Sequence, residues 1–170
     1  MPRVRFDQLP DDARLWVFGA AAPVTGAAAT AMLTAVDEAL DSWRAHGVPL
    51  VCGRDWRDDR FLAVAADEQA TGATGCSIDA LFRRVSELEA VAGTTLITSG
   101  PVFWRDASGA VQVSERPAFR ALGASGAITG ATLVFDTTVL TAGAWRSAFE
   151  CPAADTWHAR LLGLAPAARP

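Results

Sequence analysis

A switch in hydrophobic period between residues 61 and 88 constrains this chain most. Phe61 to Ala66 is a continuous apolar run of strand length, whereas Ile78, Leu81, Phe82, Val85 and Leu88 recur on one face of a helix. The same succession occurs earlier. Arg14 to Phe18 reads as a strand; after the break at Pro23 and Gly26, Met32, Leu33, Val36, Leu40 and Trp43 fall at helical spacing, with Asp37, Glu38, Asp41 and Arg44 opposite. Gly47 and Pro49 stop that helix. Val48 to Cys52 and Phe61 to Ala66 are then two strands joined as a hairpin by the charged segment Arg54 to Arg60. Ser77 is placed to cap the second helix, Asp79 complements its dipole, Gly93 ends it, and Thr94 to Thr98 opens a strand that extends past Gly100-Pro101 towards Trp104.

The order β-α-β-β-α-β is that of a ferredoxin-like split β-α-β unit, so an α+β fold is expected. Beyond it come a hairpin around Asp106 to Gly109, a short helix from Ser114 or Glu115 to Leu122, and a strand Thr132 to Phe135 leading on to Leu140. No proline-rich or serine-rich linker divides these stretches, which predicts a single α+β domain over residues 1–164 and a loose tail over 165–170.

Composition removes several chemistries. All 15 basic residues are arginine, and without lysine there is neither a P-loop lysine nor a Schiff-base or general-base lysine. A net charge of -4 provides no broad positive field for nucleic acid. The uncharged run Leu15 to Val36 has the length of a membrane span, but Gly19, Pro23 and Gly26 interrupt it and alanine dominates the rest, so strand, turn and helix are expected there instead. The acids Asp7, Asp11 and Asp12 stand where a signal peptide would be basic. Three cysteines without a C-x-x-C pair suit a reducing cytoplasm, and no bound cofactor or metal is expected.

Candidate site residues concentrate at the junction from Ala65 to Asp79, between strand and helix. Gly72, Thr74, Gly75, Ser77 and Asp79 could hold an anion with backbone and hydroxyl donors ahead of the helix. Cys76 sits where a helix dipole favours an anionic sulfur, and His158 with Asp155 three residues before it could complete a thiol site of acyl-transfer or hydrolase type. Asp67, Glu68 and Asp79 offer hard oxygen ligands for a divalent metal and phosphate chemistry. Among six tryptophans, Trp56 in the charged segment and Trp157 near the C-terminus, beside Arg160, are the candidate surface contacts.

Phe6 to Pro10 with Arg14-Leu15-Trp16, then Asp67-Glu68, Gly75-Cys76-Ser77-Ile78-Asp79 and Thr156-Trp157-His158-Ala159-Arg160-Leu161, resemble a small family of bacterial proteins of similar length. Some of its members carry an "ABC transporter ATPase" label, which requires the phosphate-binding loop and lysine that this chain lacks. Across Phe119 to Arg146, Leu122, Gly126, Ile128, Thr132 to Val134 and Trp145-Arg146 resemble the helix, turn and strand of GYF-like modules, which implies a protein partner, although their aromatic signature is absent. The expected role is a non-catalytic binding or accessory domain for a protein partner or a small anionic ligand.

Overall fold

The computed structural model describes residues 3–70, 72–97 and 99–164. In chain order the elements are β1 (Arg14–Ala20), α1 (Gly26–Asp41), β2 (Arg44–Ala45), β3 (Val48–Pro49), β4 (Cys52–Arg57), β5 (Phe61–Ala66), α2 (Gly75–Glu87), α3 (Glu89–Ala92) and β6 (Leu96–Ile97). They continue with β7 (Val102–Arg105), β8 (Val111–Ser114), α4 (Arg116–Ala124), β9 (Leu133–Phe135), α5 (Ala142–Ala148) and β10 (Glu150–Pro152). The fold is α+β, with antiparallel sheets. The chain forms two compact units, one from Met1–Thr98 with Val139–Arg146 and the other from Ser99–Thr138 with Ser147–Pro170. Both are discontinuous in sequence, which is why no linker composition marks a boundary. The expected tail at 165–170 lies outside the described residues.

The first unit carries a sheet in the order β4-β5-β1-β6, antiparallel throughout. With α1 and α2 as the connections, this is the ferredoxin-like arrangement that the element order predicts. Every residue of β5 is buried, so the strand is covered on both faces. On one face Phe18, Leu62, Val64 and Cys52 share a core with Met32, Val36 and Leu40 of α1 and with Leu81 and Val85 of α2. Fully buried side chains such as Met32 and Leu40 each contribute about 2 kcal/mol. The opposite face meets the N-terminal segment at Gly53, where an added Cβ would lie 2.8 Å from the Val4 carbonyl oxygen and 3.4 Å from Phe6 Cα. Near it, Trp145 of α5 donates its indole N-H to Asp55 at 2.8 Å.

Several boundaries differ from the sequence expectation. Val48 pairs with Ala45 across a tight turn at His46-Gly47, and the long strand begins only at Cys52 and runs to Arg57. The segment read as a charged loop, Trp56 included, is therefore mostly strand, with Asp58 and Asp59 making the turn at positive φ. Trp43 lies beyond α1 but stays buried because its indole N-H reaches the Ser77 carbonyl at 2.8 Å. The second helix ends at Glu87; the short α3 follows, and Gly93, left-handed at φ 68°, closes it. Val139-Leu140 is not a strand, although Leu140 accepts a backbone bond from Leu15 at 2.8 Å. The apolar run from Leu15 to Val36 is divided among β1, a loop and α1. No helix among the described residues is long and apolar enough to cross a membrane.

The second unit has a sheet in the order β10-β9-β7-β8. Its core joins Val102, Phe119, Ile128, Val134 and Ala153, with Trp157 and Leu161 packed against them.

Gly53→Ala should destabilise the first unit by about 1 to 3 kcal/mol, because the new methyl meets backbone that cannot swing aside. Thermal denaturation would register this as a lower midpoint; an unchanged midpoint would mean that the N-terminal segment is not held against β4.

Candidate functional site

The strand-to-helix junction is committed to starting a helix. Thr74, not Ser77, is the N-cap of α2. Its hydroxyl accepts from the Ser77 N-H at 3.3 Å, while the Ser77 hydroxyl accepts from the Thr74 N-H and donates to the Thr74 carbonyl, each at 2.8 Å. Ser77 is buried in this reciprocal box. Gly72, Gly75, Cys76 and Asp79 are exposed beside it, and Thr71 lies outside the described residues. Thr74→Ala should cost about 1 kcal/mol of stability with helix content retained, as measured by circular dichroism and denaturant unfolding.

The acids nearby have local tasks. Asp67 accepts from the N-H groups of Gln69 and Ala70, shaping the turn, and Glu68 pairs with Arg14 at 3.0 Å. Among the described residues no group of three or more His, Cys, Asp or Glu is placed to hold a metal ion.

Cys76 belongs to the first unit, whereas His158 and Asp155 belong to the second. The Cys76 thiol makes no hydrogen bond to a described residue and is exposed. Cys52 is buried instead, and burial pushes its thiol up to about 12. His158 is completely buried, its Nδ1 lying 2.7 Å from the Thr156 hydroxyl oxygen. Asp155 is exposed and makes no hydrogen bond to a described residue, so Thr156 takes the orienting role predicted for it. The imidazole stacks on Trp157 with centroids 3.8 Å apart, and its buried Nε2 has no partner among the described residues. Trp157 is itself engaged: Arg116 lies over its ring and its indole N-H reaches Asp136 at 3.1 Å. Arg160 is exposed. This is the geometry of a packed core, not of a general base facing an open cleft.

Burial pulls the His158 imidazole down to about 4, with Asp136 acting in the opposite direction. A histidine lowered on folding is protonated more readily in the unfolded chain. Its contribution, up to about 3 kcal/mol, is therefore complete above pH 6.5 and lost as pH falls towards 4. His158→Gln should flatten the stability profile in that window; an unaltered slope in denaturant titrations would assign the effect to other groups.

A different site emerges in the first unit. A cleft of about 690 Å³ is lined by Arg3, Arg5, Arg54, Arg57 and Arg146, by Asp7, Asp37 and Asp55, and by Val4 and Phe6. The N-terminal segment is brought there by its Val4 N-H, which donates to the Cys52 carbonyl at 2.8 Å. Strand β4 supplies Arg54, Asp55 and Arg57, and the outer side of α1 supplies Asp37. Arg54 grips Asp37 in a fork at 2.8 and 2.9 Å, and Arg3 reaches Asp37 at 3.2 Å and Asp41 at 2.9 Å. Arg57 pairs with Asp55 at 3.0 Å, donates to the Trp145 carbonyl at 3.1 Å and lies 4.5 Å over that indole ring. Arg146 pairs with Asp11 and donates to the Phe6 and Leu9 carbonyls, while Arg5 forks onto Asp7.

In each of these five guanidinium groups two nitrogen atoms are committed to such bonds. Their forks are thereby held in place, and among the described residues the third nitrogen of each has no partner. The lining carries five arginines against three aspartates, and Asp11 and Asp41 pair with two of the arginines from outside it, so what the cleft offers an anion is the third nitrogen of each held fork, not an excess of charge. Sequence reasoning missed this site because its arginines are spread from position 3 to position 146. The arginine-only basic set was its one visible signal.

Models of known protein families, curated proteins and solved structures were all compared with the chain, and none matches it.

Proposed function

We propose that this protein is a non-catalytic binding module of the bacterial cytoplasm, whose arginine cleft takes an anionic group from a small ligand or a protein partner. The observation that carries this reading is the convergence of five oriented guanidinium groups in one cleft. Its volume lies within the range of ligand pockets, about 300 to 1,000 Å³. A binding role fits the lining better than catalysis does. No serine, cysteine or histidine lines the cleft, and its aspartates are each held by an arginine. Three free cysteines agree with a reducing compartment.

Pyrophosphate and citrate are suitable probes. Calorimetric titration at low ionic strength should detect binding that weakens as salt rises, with a matching increase in thermal midpoint. Arg5 has a side chain 78% exposed, so its replacement perturbs the fold little. Arg5→Glu should lower affinity about tenfold or more at an unchanged midpoint of the unliganded protein. Failure of both anions to bind, or equal binding by Arg5→Glu, would refute the reading.

A further inference from the structure

Resting on that reading of the cleft, we infer that its natural occupant is an acidic, extended segment of a partner protein, which adds as a strand to the free edge of β4. Strand β4 ends the sheet of the first unit, with β5 on its inner side. The Val51 carbonyl accepts the Asp67 N-H at 2.9 Å across this pair, and antiparallel strands alternate inward and outward hydrogen-bonding residues. Cys52, Arg54 and Trp56 therefore direct their backbone groups outward.

Among the described residues, two of these outward groups already have partners. The Cys52 carbonyl takes the Val4 N-H, and the Trp56 N-H is capped by the Asp55 carboxylate at 2.9 Å. The N-terminal segment pairs in parallel at the single bridge between Arg3 and Cys52, then bends away into the 3-10 turn Phe6–Gln8. It begins an added strand and abandons it. Beyond the bridge, the N-H and carbonyl of Arg54 and the carbonyl of Trp56 have no partner among the described residues and stand as edge groups beside the cleft.

Charge selects among the strands that could use this edge. A neutral strand would leave the third guanidinium nitrogens unanswered, and a second copy of β4 would set Arg54 and Arg57 against the same residues. An acidic strand satisfies both the ladder and the third guanidinium nitrogens. A small anion would engage the side chains alone and leave the Arg54 N-H untouched.

The test uses the whole chain with the peptide acetyl-Glu-Val-Glu-Val-Glu-Val-amide and two N-methylated versions, one methylated at the glutamates and one at the valines. Strand addition predicts that one of the two loses about tenfold or more in affinity at unchanged charge, since only alternate amides face β4. It also predicts that the unmodified peptide slows hydrogen exchange at the Arg54 amide, whereas pyrophosphate does not. Equal affinity of all three peptides would overturn strand addition and leave anion binding standing. Absence of peptide binding at low salt would overturn it too, whatever the pyrophosphate titration shows.

Discussion

The antiparallel pairing of β1 with β5, buried on both faces, is the constraint from which the first unit follows. All six residues of β5 are removed from water, so each face of the sheet must find a cover. The helices α1 and α2 cover one face through Met32, Val36, Leu40, Leu81 and Val85. Toward the other lie the N-terminal segment at Gly53 and Trp145 of α5, both engaging β4. The cleft is a by-product of that second cover, because the segment that approaches the sheet brings Arg3 and Arg5 beside Arg54 and Arg57.

Polar chemistry is divided in a corresponding way. Where the chain is buried, polar groups serve the fold: Thr74 and Ser77 close a helix start, Trp43 answers the Ser77 carbonyl, and Thr156 answers His158. Where arginine and aspartate meet at the cleft, the ion pairs are only partly buried. Their direct contribution to stability is small, but they fix the direction of each guanidinium fork. An acidic protein thereby gathers oriented guanidinium donors in one cleft.

Much of the fold was legible in order and period. The strand Phe61 to Ala66, both long helices and the ferredoxin-like succession of the first unit read directly from hydrophobic spacing, because burial on one or two faces imposes that spacing. Boundaries read less well. Trp43 continues the helical pattern but is buried beyond the helix, and Trp56 sits among charges yet belongs to a strand whose Arg54 pairs with Asp37 of α1. The junction at Gly72 to Asp79 stood out by residue type, but a Thr-Ser capping pair and an anion cradle draw on the same residue types.

The sequence by itself determined the two long helices, the main strands of the first unit, their order and the exclusion of lysine chemistry, since period, propensity and composition are local properties of a chain. Only the tertiary structure decided that His158 is a core residue, that Asp67 and Glu68 serve a turn and an ion pair, and that five dispersed arginines share one cleft. Contacts between residues as far apart as Arg57 and Trp145 depend on which strands become neighbours. Sheet topology sets that adjacency, and it leaves no periodic trace in the sequence.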